Sequence, residues 1–411
     1  MGAIWFFCLA GLGVFFPYYG IYLHENAGLD PMQVGIVYAV LPMVGLLAQP
    51  FWGQVADRTG SRSRVLALLA AGSAIGYAAL YFWKGFALLL FGTAVLACFS
   101  GALIPACVAV TLALTRDSTR HAFGLTRAWG TIGFLVLVVL FPPVLHYWQS
   151  LRGLVAHEGG PSEPGLEIMF LGAGLMLLIC ALIARRLPQT DALALRAPRG
   201  DWRRLMRHQP FVRLLVFALL AFFFLRGPMG LFPLFVRAHG GSLDSVSQMW
   251  IPMLIVEIPI IALLGETVAR IGARGLLATG VIAGGLRWLI CGLSSDLDWI
   301  FAAQILHGIT VAGLLLGSPL YVEAVVPERL RSTGQGLLAM VGVGLGGISS
   351  YLSAGWLFEN VGPDAPYLAG GIGALLLGCA IPLLIPPAVR VASVDGEETP
   401  RSDSPPVTTP K

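Results

Sequence analysis

The chain has 411 residues, of which 56% are hydrophobic and only 12% are charged, and its mean hydropathy is +0.79. Soluble domains carry about 25% charged residues, so this composition excludes an ordinary soluble protein and predicts a protein embedded in a lipid bilayer. The formal net charge of +4 is explained by membrane topology, so nucleic acid is not a predicted partner.

Segments long enough to cross a bilayer recur along the whole chain, since a spanning helix needs about 20 mostly apolar residues. The first six lie near residues 3–23, 33–52, 65–83, 86–115, 128–148 and 167–184. Six more lie near residues 211–237, 248–268, 276–294, 299–326, 335–357 and 367–388. We therefore predict an all-α integral membrane protein of twelve transmembrane helices in two six-helix halves.

Basic residues predict the orientation, because short loops that stay in the cytoplasm retain Lys and Arg. Of the 26 basic residues, 21 fall in the loops after the even-numbered segments or in the C-terminal tail. The other five are Lys84, Arg152, Arg226, Arg237 and Arg287. Both termini are therefore predicted to be cytoplasmic. The expected location of the protein is the inner membrane of a bacterium.

Composition divides the chain into four parts. Residues 1–184 and 211–388 hold the two predicted halves, and residues 185–210 form a basic linker rich in arginine and proline. Its later part, residues 201–207, is either a short helix at the lipid surface or a solvated loop. The tail, residues 389–411, is polar and proline-rich, which is typical of disorder.

Two stretches at an offset of 212 residues indicate an internal duplication. Residues 53–62 and 265–274 carry Gly, Arg, Gly and Arg at the same four places, and Gly124-Leu125 recurs as Gly336-Leu337. Because six helices per unit keep both halves in one orientation, these are parallel repeats about an axis along the membrane normal. A transport site is expected between them.

The first copy resembles the loop signature of the major facilitator superfamily. The matching residues are Gly53, Asp57, Arg58, Gly60 and Arg62. The second copy keeps Arg270 and Gly272 but has Ala269 in place of the aspartate. In this reading the glycines permit a tight turn, and Asp57 pairs across the interface between the halves as a latch that favours one facing state.

Within that superfamily the chain most resembles the phenylpropionate permease family, and more distantly lactose permease and the nucleoside/proton symporters. The stretches that carry the resemblance are residues 56–60, 127–134, 256–258, 286–288 and 304–307. The resemblance implies import of a small organic solute, with aromatic carboxylates among the substrates. It also implies that the proton is the coupling ion and that no cofactor is needed. A sugar or nucleoside symporter is the alternative. Efflux is less favoured, because the fifth segment lacks the Gly-Pro-x-x-Gly-Gly pattern of drug exporters.

Four ionisable residues fall near the middle of predicted helices, where each is costly and therefore a candidate functional residue. They are Arg226, Glu257, Arg287 and His307. We expect Glu257 to carry the proton and the two arginines to bind a solute carboxylate. The alternative for Glu257 and Arg287 is a structural ion pair. For His307 a hydrogen-bonding packing role and a proton or substrate role both stay open. Lactose permease has an acidic proton carrier three residues after its similar histidine, where Thr310 stands here.

Charges at the inner ends of the helices predict gates. Glu323 and Arg331, together with Glu328, resemble the superfamily's cytoplasmic charge cluster. Arg116, Asp117 and Arg127 are interpreted either as the matching cluster of the first half or as a solvated loop.

Enzyme and metal sites are not predicted, because the sequence has no HExxH, GxSxG or phosphate-binding loop and no metal-ligand spacing. A sensor that retains the transporter fold is the alternative from another functional class. The expected partners are the lipid bilayer and a small-molecule solute, and the monomer is the expected functional unit.

The predicted orientation can be tested by labelling with an impermeant thiol reagent added outside intact cells. We expect Ser162→Cys to be labelled and Ala192→Cys to be protected, because the second lies in the basic linker. The parent chain, with its six native cysteines, is the control. Labelling of position 192 with protection of position 162 would invert the topology.

Overall fold

The computed structural model describes residues 1–115, 122–155, 162–188, 202–262 and 264–387. Within these residues the secondary structure is helical, without strands. The first six spanning helices are α1 Gly2–Ile21, α2 Pro31–Thr59, α3 Arg62–Leu80, α4 Phe86–Leu114, α5 Ala122–Arg152 and α6 Ile168–Ala184. The prediction of twelve apolar helices is confirmed; part of the linker and the tail lie outside the described residues.

The second six helices include two that consist of two helical segments each. The set comprises α7 Gln209–Ala238, α8 Leu243–Ala262, α9 Leu264–Leu293, α10 Leu297–Ala303 with Leu306–Val325, α11 Arg331–Ala339 with Gly347–Asn360, and α12 Ala365–Leu384. A π-helical segment, Met340–Gly346, joins the two parts of α11, and another, Tyr22–Asn26, continues α1. The predicted linker helix is represented by one short turn, Trp202–Leu205.

The duplicated motif has a glycine with a positive φ angle at the same place in both copies. Gly60 ends α2 with φ 64°, and Gly272, 212 residues later, interrupts α9 with φ 66°. The ψ angles differ, at 10° for Gly60 and 171° for Gly272, but residues with a Cβ rarely adopt a positive φ of this size. The recurrence of Gly at this place is therefore explained by the turn it must form.

Helices from the two repeats meet in symmetry-related pairs. Helix α2 packs on α11 and α5 packs on α8, while α1 meets α7 between them. The crossing of α2 and α11 is close because it is lined with glycine: a Cβ on Gly35 would lie 2.6 Å from the Tyr351 carbonyl oxygen. A Cβ on Gly355 would lie 2.8 Å from the Pro31 carbonyl oxygen. The halves therefore touch backbone to backbone at this end.

An ion-pair cluster joins the halves at the same end. Arg237, at the end of α7, donates to both oxygens of Glu25, at 2.8 and 2.9 Å, and also to Glu163, at 3.4 Å. Burial raises the pKa of the Glu163 carboxyl, and the neighbouring Arg237 opposes that rise. Because its two hydrogen bonds are the shorter ones, Glu25 is the principal partner of Arg237. We refer to Glu25, Glu163 and Arg237 as the outer clamp, because the predicted topology places them outside the cell.

Other contacts close this end around the clamp. Glu359 accepts a hydrogen bond from the Met32 backbone N–H at 3.0 Å, and Ser247 donates to the Val138 carbonyl at 2.8 Å. His146 and Asp244 approach to 3.9 Å. Each of these contacts joins one repeat to the other, so this end of the molecule is sealed.

Removing the clamp should favour opening at this end. For Arg237→Gln we expect the open fraction to rise about tenfold or more, because hydrogen bonds to charged groups contribute about 1.5–3 kcal/mol and 1.4 kcal/mol is a factor of ten. The measurement is the rate at which an impermeant thiol reagent, added on the clamp side, labels Leu254→Cys, a position on α8 that is buried in this structure.

Arg213→Gln is the matched control, since Arg213 is exposed at the opposite end of the same helix. Its labelling rate should equal that of the parent. Equal rates for Arg237→Gln and the parent would show that the clamp does not hold the halves together.

Candidate functional site

A cavity of about 1110 Å³ lies between the two repeats. It reaches Gln49 and Pro50 on α2 and Thr333 and Gly336 on α11, which are at the ends of the helices opposite the outer clamp. The cavity is therefore accessible from the side that the topology predicts to be cytoplasmic, and the clamp closes its other end.

Most of the cavity wall is apolar and aromatic. Trp250 packs against Phe16 and Phe134, with ring centroids 5.8 and 5.1 Å apart. Tyr351 also lines the space and stacks on Tyr38 at 5.5 Å. Aromatic side chains from both repeats thus form a surface suited to a flat apolar group.

The aromatic residues of α1 near the cavity divide into two groups. Phe15 and Phe16 line the cavity. Tyr18 instead donates to the Val138 carbonyl at 2.6 Å, and Tyr19 bonds Thr93 at 2.6 Å. Tyr18 and Tyr19 are buried and make packing contacts, because their hydroxyls need partners inside the bundle.

Arg226 on α7 projects into the cavity as an exposed side chain. It makes no hydrogen bond and no ion pair with any residue in the described part of the chain. Its aliphatic stem passes Gly347 of the neighbouring helix α11, where a Cβ would lie 3.8 Å from the Arg226 Cγ. The guanidinium is thus available to a ligand.

Glu257 on α8 forms a hydrogen bond with a residue of the other repeat. It accepts a hydrogen bond from the Thr131 hydroxyl of α5 at 3.4 Å, and Arg127, one turn earlier, donates to the same hydroxyl at 3.3 Å. Arg127 also lies over the Trp5 ring, 4.9 Å from its centroid. The Arg127–Thr131–Glu257 chain therefore connects a cation of the first repeat to a carboxylate of the second.

His307 lines the cavity, whereas Arg287 lies behind it. Arg287 donates to His307 Nδ1 at 2.9 Å and to Gln304 Oε1 at 2.8 Å. Its guanidinium carbon lies 3.9 Å from the centroid of the Trp288 ring. Arg287 does not form the ion pair with Glu257 that was considered as an alternative, because its guanidinium is directed at Gln304 and His307 of α10. Its contact with a solute carboxylate stays a prediction.

The structure brings together three of the four predicted residues, Arg226, Glu257 and His307, and adds Arg127 and Thr131. Arg127 was interpreted as part of an inner charge cluster or of a solvated loop, and the fifth segment was predicted to begin at residue 128. In fact α5 begins at Ala122, so Arg127 lies within the helix. The run of residues 127–134 singled out in the sequence was the signal that could have placed it at the site.

The predicted gating residues are spread along the open end. Asp57 lies 4.0 Å from Arg62 within the same motif, so in this state it pairs within its own loop. No ion pair connects Glu323, Glu328 and Arg331 in the part of the chain that the structure describes. Arg116, Asp117 and the side chain of Arg270 are outside that part.

Comparison with known proteins gives a family match. A model of the MFS_1 like family matches residues 1–369. The maltose permease of Geobacillus stearothermophilus is 28% identical over 399 residues, which cover 96% of this chain and 95% of the permease. The probable 3-phenylpropionic acid transporter of Escherichia coli (strain K12) is 26% identical over 370 residues, covering 85% and 88%.

A solved structure gives the same fold. The nucleoside transporter NupG superposes with a TM-score of 0.77 at 17% identity, covering 93% of this chain and 97% of NupG. These similar proteins are membrane transporters rather than enzymes, which confirms the predicted superfamily. The chain is a multi-pass membrane transporter that belongs to the MFS_1 like family.

Proposed function

We propose that this protein is a secondary active transporter of the bacterial inner membrane that imports a small organic anion together with protons. Aromatic carboxylates are the favoured class. The observation that carries the proposal is Arg226, an exposed guanidinium in an aromatic-lined cavity without a partner among the described residues. A planar guanidinium binds a carboxylate through two parallel hydrogen bonds, and the nearby rings accommodate the apolar part of the solute.

The charges that line the cavity explain how proton binding and anion binding would be coupled in this proposal. With Glu257 ionised, Arg127 and Arg226 leave one net positive charge, and with Glu257 protonated they leave two. An anion binds the more positive cavity more strongly, and by linkage the bound anion favours protonation to the same extent. Proton and anion therefore promote each other's binding, as symport requires.

A sugar is the second candidate substrate class. It is favoured by the similarity to a maltose permease over 96% of the chain. The cavity of about 1110 Å³ exceeds the usual size of pockets for drug-sized ligands, about 300–1,000 Å³, so it has room for a disaccharide.

Uptake into proteoliposomes separates these classes. With an inward proton gradient we expect accumulation of 3-phenylpropionate, but not of its neutral amide, maltose or uridine. For Arg226→Gln we expect KM for the carboxylate to rise roughly ten- to 100-fold, since hydrogen bonds between charged groups contribute about 1.5–3 kcal/mol. Arg213→Gln on the same helix is the control.

Each alternative has its own outcome in this assay. Accumulation of maltose or uridine instead of the carboxylate would replace the anion with a neutral substrate. Binding without accumulation would indicate a sensor, and solute movement only against an opposing proton flux would indicate efflux.

The proton role of Glu257 has a separate test. In Glu257→Gln, which resembles the permanently protonated side chain, we expect exchange of labelled for unlabelled solute to continue and accumulation driven by the proton gradient to disappear. Gln can still accept from Thr131, so the protein should remain folded. A variant that still concentrates solute in response to the gradient would contradict the assignment and require another proton carrier.

A further inference from the structure

Arg287 is a cation that is fully enclosed on the far side of His307 from the cavity. Its side chain is 2% exposed and has no carboxylate partner among the described residues. The guanidinium lies over the Trp288 ring, and its Nη2 faces the sulfurs of Met229 and Met253 at 3.5 and 3.6 Å. Its strong acceptors are therefore Gln304 and His307.

Gln304 binds one nitrogen of the Arg287 guanidinium, so that a different nitrogen donates to His307. The Gln304 amide donates to the Ile300 carbonyl, and its oxygen accepts from Arg287 Nε. The orientation of that amide is thus set by its own helix. Arg287 Nη1 is then directed at His307 Nδ1, 2.9 Å away.

Hydrogen-bond chemistry assigns the proton on the imidazole. A guanidinium only donates, so the ring nitrogen facing it must be an unprotonated acceptor, and in a neutral imidazole the proton is then on the other nitrogen. His307 Nδ1 accepts from Arg287, so the proton is on Nε2. His307 lines the cavity, which makes this N–H available to the solute.

We infer that Arg287 is a positioning residue that holds His307 as a neutral Nε2–H donor, and that His307 binds an acceptor oxygen of the transported solute and does not carry the coupled proton. Only the part of the inference that concerns the transported solute rests on the proposed function. For an anionic solute the acceptor is a carboxylate oxygen, beside the one bound by Arg226.

The surrounding charges support a neutral ring. Arg287 faces His307 from α9, and Arg226 from α7 lines the same cavity. Glu257 of α8 is the acidic residue among the cavity-lining side chains, and it is bound by Thr131. Protonating Nδ1 would place a third cation beside two arginines and deprive buried Arg287 of an acceptor, which is costly in a low-dielectric site.

NMR of the full-length protein labelled with ¹⁵N-histidine measures the tautomer directly. His307→Gln identifies the His307 signals by their loss. Between about pH 5 and 8, where an ordinary histidine titrates, we expect one protonated and one unprotonated ring nitrogen, with Nε2 protonated. An imidazolium in this range, or a proton on Nδ1, would overturn the inference, whatever the solute is.

Transport measurements test the donor role with 3-phenylpropionate as the probe. His307→Leu should raise KM about tenfold or more, as expected when a hydrogen bond to a charged group is lost. His307→Gln retains an amide N–H at a similar reach and should recover most of that loss. Both variants should retain accumulation driven by the proton gradient at saturating solute, and loss of that coupling in both would make His307 the proton carrier.

Arg287→Met tests the positioning role. Without the donor, the imidazole can bind a second proton, so a new pH-dependent step in KM should appear between about pH 5 and 8. The step should vanish in the double variant Arg287→Met/His307→Gln. A step that persists in the double variant, or no step in a folded Arg287→Met protein, would contradict the positioning role; the NMR experiment on the parent does not depend on the folding of this variant.

Discussion

A charge inside a lipid bilayer is costly unless it faces a partner or a water-accessible cavity, and each of the central charges of this protein meets that requirement differently. Arg226 faces the cavity, and Glu257 is bound by Thr131 from the opposite repeat. Arg287 is enclosed by an aromatic ring, two sulfurs, an amide and an imidazole. Each of the helices that carry these charges therefore lies where its charged side chain meets a partner or the cavity.

The duplicated scaffold is symmetric, but its chemistry is not. The two interfaces, α2 with α11 and α5 with α8, are related by the 212-residue offset. At that offset Glu257 corresponds to Gly45, and Arg127 corresponds to Ala339. All four of these residues line the cavity. The repeats therefore supply equivalent helix packing, while the ionisable side chains occur once each and give the cavity a polar region and an apolar wall.

Glycine determines how closely α2 and α11 approach each other. At the closed end, Gly35 and Gly355 allow α2 and α11 to approach closely. Further along α11, the Met340–Gly346 π-helical segment lines the cavity, and a Cβ on its Gly344 would lie 2.4 Å from the side chain of Leu46. Such segments are frequent at functional sites, and this one lies in the wall of the cavity.

The sequence by itself determined the number and type of the helices and the glycines of the repeated motif. It also predicted the duplication and the depth of Arg226, Glu257, Arg287 and His307 in the membrane. Depth follows from a regular rise of about 1.5 Å per residue. Only the tertiary structure decided which of these side chains face the cavity, that Arg127 joins them through Thr131, and that Arg287 binds His307. The reason is physical: lipid tails are as apolar as a protein interior, so these helices have little polar–apolar periodicity to mark a face. Their rotation is set by packing against helices distant in the sequence.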